Sequence, residues 1–139
     1  MTSLLQNFST VMMESGQIFA QLAQAMRGKG LLVLNEKLPD RAAVLLQNVE
    51  RLGVTNAVVT SADPAELAKR LGGFFDKILV DAPCSGEGML RKEPAAAGQW
   101  SEETVRMCAA RQKKILSSAA EMLAPGGRLV YSTCTFAAE

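Results

Sequence analysis

The 139-residue sequence contains no histidine. That excludes Ser-His-Asp and Cys-His catalysis and any His-ligated metal centre, so chemistry must rest on Cys, Asp, Glu, Lys or Arg. Cysteine is scarce too. Cys84, Cys108 and Cys134 are an odd number without a CxxC pair, which suggests neither a disulfide framework nor a zinc site, and fits reduced thiols in a reducing compartment. An excess of positive charge is also missing. Fifteen Lys and Arg against fourteen Asp and Glu leave a net charge of +1, without the basic surplus of a self-sufficient nucleic-acid binder. Long apolar runs are absent: Ile78-Leu79-Val80 is typical, against about 20 residues for a membrane-spanning helix. Met1 to Met13 is moderately apolar but carries no basic head with a small-residue cleavage site. A soluble, cytoplasmic protein with no membrane partner is the expectation.

What is present is a hydrophobic content of 48%, ample for the core of one compact domain over residues 1–139. Short apolar runs alternate with longer segments of helical period, the pattern of an α/β fold. Leu31 to Leu34 forms a strand. Pro39 then opens a helix carrying Ala42, Val44, Leu45, Val49 and Leu52, which Gly53 ends. Ala57 to Thr60 is a second short strand, and Asp63-Pro64 opens a helix through Ala65, Leu67, Ala68 and Leu71 up to Gly72-Gly73. Phe75 to Val80 is the strongest strand, suited to the middle of a parallel sheet, and it delivers Asp81 to its carboxyl end. A helix from about Ser101 to Leu123 presents Val105, Cys108, Ala109, Gln112, Ile115, Leu116, Ala119 and Leu123 on one face and is stopped by Pro125-Gly126-Gly127. Arg128 to Ser132 is the last strand. Ahead of these, Phe8 to Met13 reads as a strand and Ile18 to Met26 as a helix.

Two strand ends carry reactive groups. Asp81-Ala82-Pro83-Cys84-Ser85-Gly86 sets a carboxylate and a thiol at the carboxyl edge of the sheet, where ligands of open α/β folds bind. Tyr131-Ser132-Thr133-Cys134-Thr135 brings a second thiol to the same edge if the two strands are parallel neighbours. A cysteine near a strand end is more often a small buried hydrophobe than a nucleophile, and mid-helix Cys108 keeps that reading. The connection over residues 82–100 holds Pro83, Gly86, Gly88, Pro94 and Gly98, a composition suited to function rather than core.

Taken together these strings resemble the Sun-type RNA (cytosine-5) methyltransferase family, in particular its bacterial ribosomal-RNA branch. The resemblance runs from about Leu31 to Phe136, through Gly30-Leu31-Leu32-Val33, Asn48 to Gly53, Phe75 to Met89 and Leu129 to Phe136. It implies a Rossmann-like S-adenosylmethionine-dependent methyltransferase fold: a mostly parallel sheet with helices on both faces, here without the final antiparallel hairpin and without flanking RNA-binding segments. It also implies roles. The cysteine of the Thr-Cys motif, matched by Cys134, attacks C6 of the target cytosine. The cysteine of the Pro-Cys motif, matched by Cys84, assists release of the methylated product. The motif aspartate, matched by Asp81, faces N3 as a proton donor and touches the cofactor. On the cofactor side, Glu36 follows the Leu31 strand where such folds place the acid that holds ribose hydroxyls. Asp63 occupies the position of an acid near the adenine, and an Asp before Pro64 is equally a helix cap.

One stretch departs from the family. Where relatives carry Cys-Ala-Ala-Pro-Gly-Gly-Lys around the methionine part of S-adenosylmethionine, this chain has Met12-Met13-Glu14-Ser15-Gly16-Gln17-Ile18, in which only Gly16 matches. The departure supports an alternative reading as a catalytically silent relic unable to bind the cofactor. A methyltransferase acting on a small molecule or protein leaves the paired cysteines without a purpose. Arg91-Lys92, then Arg111, Lys113, Lys114 and the stacking surface of Trp100, are the candidate contacts to RNA. An unpaired edge at Arg128 to Ser132 would favour self-association.

Overall fold

A computed structural model describes residues 9–13, 18–82 and 101–133. In chain order these form β1 (Ser9–Met13), α1 (Ile18–Met26), β2 (Leu31–Asn35), α2 (Pro39–Arg51), β3 (Ala57–Thr60), α3 (Pro64–Arg70), β4 (Phe75–Asp81), α4 (Glu102–Met122) and β5 (Leu123–Ser132). The strands make one parallel sheet in the order β3-β2-β1-β4-β5. The chain winds outward from β1 to β3, then restarts on the other side of β1 with β4. A reversal of this kind opens a crevice beyond the carboxyl ends of the strands.

Alternation along the strands divides the core between two faces. Val33, Phe75, Ile78 and Val80 pack with Leu67 and Ala68 of α3 and Ala119 and Met122 of α4. Leu32 and Leu34 pack with Phe19 of α1 and Leu45 and Val49 of α2. Helices therefore cover both faces, as the sequence pattern predicts, and β4 lies inside the sheet between β1 and β5. Within α2, Ala42, Leu45 and Val49 are buried. Val44 and Leu52, also apolar residues of this segment, are 56% and 50% exposed. Val44 is two positions from Ala42, about 200° around the helix, and Leu52 is the C-cap, beyond the last helical residue.

The amino end of α4 is as predicted. Ser101 is its N-cap, its side chain accepting from Thr104 N–H at 3.0 Å. The buried stripe runs through Gln112, Ser118, Ala119 and Met122, whereas Leu116 remains 37% exposed. The carboxyl end corrects the expectation. Pro125-Gly126-Gly127 does not stop the helix, because Leu123 already has extended backbone (ψ 128°) and begins β5. Leu123 is opposite Phe75 and Arg128 opposite Lys77, so residues 124–127 bulge against Asp76 alone. Glycine is needed there. A Cβ on Gly127 would come within 2.7 Å of Leu123 Cδ1 and 2.9 Å of the Asp76 carbonyl oxygen, and Gly126 has a φ of 77°. The bulge resets register, so that Ile78 to Asp81 meet Leu129 to Ser132 residue for residue. Among the described residues β5 is an edge strand, and no helix is long and apolar enough to cross a membrane.

Candidate active site

Asp81 is the last residue of β4 and pairs in register with Ser132 of β5. The Ser132 hydroxyl donates to Asp81 Oδ1 at 3.2 Å, and Ala82 N–H donates to the Ser132 carbonyl at 3.0 Å. The strands leading into the two motifs are therefore parallel neighbours, joined at their carboxyl ends by main-chain and side-chain bonds. Cys84 follows Asp81 by three residues and Cys134 follows Ser132 by two. Cys84, Cys134, Gly16, Arg91, Lys92 and Trp100 lie outside the described residues.

Across the crevice, Asn35 closes β2. The residue is 2% exposed, and a buried amide must fill its bonds. Its Nδ2 donates to the Ala62 carbonyl at 3.0 Å, while Oδ1 accepts from Thr60 Oγ1 at 2.8 Å and from Ala62 N–H at 3.2 Å. This ties the end of β2 to the loop after β3 and so places Asp63. That residue caps α3 by accepting from Ala65 N–H at 3.0 Å, and its other oxygen pairs with Lys37 Nζ at 2.9 Å. The Lys37 hydrogen bond, then the Ala65 amide, hold its carboxyl below the ordinary value of 3.8. Of the two readings for Asp63, the cap is realised, and the side chain also lines the crevice. Glu36 is 6% exposed, so it is not a solvated strand-end acid. Its Oε1 accepts from Leu38 N–H at 3.0 Å, and it stands beside, not among, the residues that line the crevice.

The crevice is a cleft of about 580 Å³, within the ~300–1,000 Å³ range of small-molecule sites. Asn35 and Asp81 contribute from strand ends, Asp63 from the N-cap of α3, and Ser117 and Ser118 from α4. Four cations line it: Lys37, Arg41 from the first turn of α2, and Arg111 and Lys114 from α4. Lys37 is engaged by Asp63. Arg111 and Lys114 were legible as candidate cations; Arg41, Lys37 and Asn35 were not singled out. Asn35 left a signal, a polar residue ending the apolar run Leu31 to Leu34. Lys113 does not line the cleft, and partly buried Cys108 is a free thiol. No group of metal-binding side chains occurs among the described residues.

The family model for the 16S rRNA methyltransferases RsmB/F matches residues 13–139. The chain belongs to the RsmB/F family. The ribosomal RNA small subunit methyltransferase F of Pectobacterium atrosepticum is 43% identical over 120 residues, covering 86% of this chain and 25% of the relative. The RsmB/F chain thus spans about a quarter of the length of that curated relative. Among solved structures, NSun6 from Pyrococcus horikoshii with SFG superposes with a TM-score of 0.82 at 30% identity, covering 93% of this chain and 33% of that one. A methyltransferase homolog from Pyrococcus horikoshii gives 0.78 at 30% identity, covering 94% and 40%. The fold is the Rossmann-like methyltransferase fold expected of the RsmB/F family.

The Asp63 cap is open to test in this RsmB/F domain. Asp63→Ala is expected to lower stability by about 1 kcal/mol in urea denaturation, whereas Asp63→Asn, which keeps a capping oxygen, costs about half that or less. Its side chain is 45% exposed, so the Lys37 pair adds little. Because folding lowers the carboxyl's pKa, the advantage of Asp over Asn is present at neutral pH. It fades as pH falls through the folded value, below 3.8. An Asn variant as unstable as the Ala variant would refute the cap.

Proposed function

We propose that this protein methylates C5 of a cytosine in ribosomal RNA, with Cys134 as the nucleophile, using S-adenosylmethionine. The observation that carries the reading is the junction of β4 and β5, where Asp81 and Ser132 meet in register and both motif cysteines follow within three residues. Membership of the RsmB/F family supports it.

The residues present fit the cofactor in two respects. The cleft is large enough for a nucleoside. Carboxylates also stand after three strands: Glu36 after β2, with Oε2 not used by the Leu38 bond, Asp63 after β3 and Asp81 ending β4. Glu36, Asp63 and Asp81, with Gly16, are the residues assigned to hold it. When bound, S-adenosylmethionine supplies a methyl group on a sulfonium, which is electrophilic. The protein's part is to make C5 a nucleophile. The Cys134 thiolate adds to C6, the C5–C6 π electrons move into the ring, and Asp81 supplies a proton at N3. After C5 is methylated, the Cys84 thiolate removes the C5 proton, the C6–S bond breaks, the double bond and the Cys134 thiolate return, and the N3 proton goes back to Asp81. Arg41, Arg111 and Lys114, on the wall of the cleft, offer charge to RNA phosphates.

The departure at Met12 to Ile18 favours the second reading, a fold that no longer binds the cofactor. Calorimetric titration with S-adenosylmethionine separates the two. Binding in the micromolar range is expected, a free energy of about −8 kcal/mol, with the carboxylates substituting for the usual loop. Absence of binding would leave the silent fold.

A further inference from the structure

Gln112 is a polar residue at the middle of α4, only 8% exposed, on a stripe otherwise built to meet the sheet. A buried amide is costly unless its bonds are filled. Here they reach across to the end of β5. Tyr131 Oη donates to Gln112 Oε1 at 2.8 Å, and Gln112 Nε2 donates to Thr133 Oγ1 at 3.4 Å. Tyr131 and Thr133 are two apart and bond the same helix residue, while Ser132 between them bonds Asp81. The carboxyl end of β5 is therefore held from two sides. Inter-strand bonds fix it to β4, and one glutamine fixes it to α4. Among the described residues β5 has no second strand on its far side, and the residue that follows Thr133 is Cys134.

We propose that Gln112 is a positioning residue for Cys134: by tethering Tyr131 and Thr133 it sets the direction in which the chain leaves β5 and hence the approach of the thiol to its target. The inference rests on the reading of Cys134 as the nucleophile. Packing alone does not account for a glutamine here, since leucine fills the same volume between helix and sheet without an amide to satisfy. Positioning and packing rank substitutions oppositely. Gln112→Leu keeps the volume and breaks these two bonds. Gln112→Glu buries a charge, yet its two oxygens accept from the Tyr131 and Thr133 hydroxyls.

The test is the rate at which Cys134 reacts, measured two ways in the unsubstituted protein and both variants, with urea denaturation alongside. One is iodoacetamide alkylation of the Cys134 peptide followed by mass spectrometry from pH 6 to 10. The other is formation of a denaturation-resistant complex with small-subunit ribosomal RNA containing 5-fluorocytosine. Gln112→Leu is expected to slow complex formation about 10- to 100-fold, the cost of a misplacement of about 1 Å. It is also expected to move the Cys134 alkylation profile, with Gln112→Glu restoring both in part although it is the less stable protein. Identical Cys134 profiles in all three proteins, or rates that follow stability with Leu above Glu, would overturn the inference. A protein that forms no complex before substitution, yet shows the shifted alkylation profile, would overturn the cytosine reading and leave the tether standing.

Discussion

Replacing Cys134 by alanine is expected to abolish methyl transfer to RNA, a loss on the order of 10³-fold or more, equivalent to at least ~4 kcal/mol of barrier. On the proposed mechanism Cys134 alone attacks C6, and unactivated C5 of cytosine is a poor nucleophile. Replacing Cys84 by alanine is expected to slow turnover as well, but to the opposite effect on the intermediate. Covalent catalysis divides one reaction into formation and breakdown of an adduct. If Cys84 serves only breakdown, its loss leaves formation intact and the protein–RNA complex accumulates. Gel electrophoresis under denaturing conditions reads this directly: a retained band for Cys84→Ala, none for Cys134→Ala. The fold makes the division of labour physically reasonable. The two cysteines follow in sequence from adjacent parallel strands whose ends are joined through Asp81 and Ser132.

The second large effect falls on Asp81. Asp81→Asn preserves shape and an oxygen to accept from the Ser132 hydroxyl, now 3.2 Å from the carboxylate, so the β4–β5 junction is expected to survive with little change in stability. What it removes, on the proposed mechanism, is the group that exchanges a proton with N3. General acid catalysis contributes about 10²–10⁴-fold, and turnover is expected to fall by that factor while affinity for S-adenosylmethionine changes far less, because Glu36 and Asp63 are proposed to hold the cofactor as well. Single-turnover kinetics and titration of the same variant check both halves. An Asp81→Asn protein with near-normal turnover would remove Asp81 from the chemistry and leave it as a strand-end hydrogen-bond partner.

The parts of this site that were legible in the sequence are those set by local pattern. Phe75 to Val80 reads as an interior strand because its apolar content and bounds leave no alternative, and Asp81 then falls at the carboxyl edge. Strand and helix alternation likewise favours parallel pairing, but that β4 and β5 are neighbours, left open in the sequence, comes from the structure. What was not legible depends on partners distant along the chain. Asn35 meets Thr60 and Ala62, and Gln112 meets Tyr131 and Thr133, across separate elements. Arg41 and Arg111 line one cleft from α2 and α4. The misplaced end of α4 has a different cause. Pro-Gly-Gly normally marks a helix stop, but here the crowding around Gly127 shows that the same residues serve a bulge inside β5.

The central claim, that this RsmB/F chain attacks cytosine through Cys134, is tested most directly by finding which atom of the protein the RNA is bonded to. The measurement is peptide mass spectrometry of the Cys84→Ala protein after incubation with small-subunit ribosomal RNA and S-adenosylmethionine, followed by protease and nuclease digestion. The expected result is a single modified peptide with a methylated cytidine nucleotide on Cys134. A nucleotide on Cys108, or no nucleotide on any peptide while S-adenosylmethionine binds normally, would contradict it.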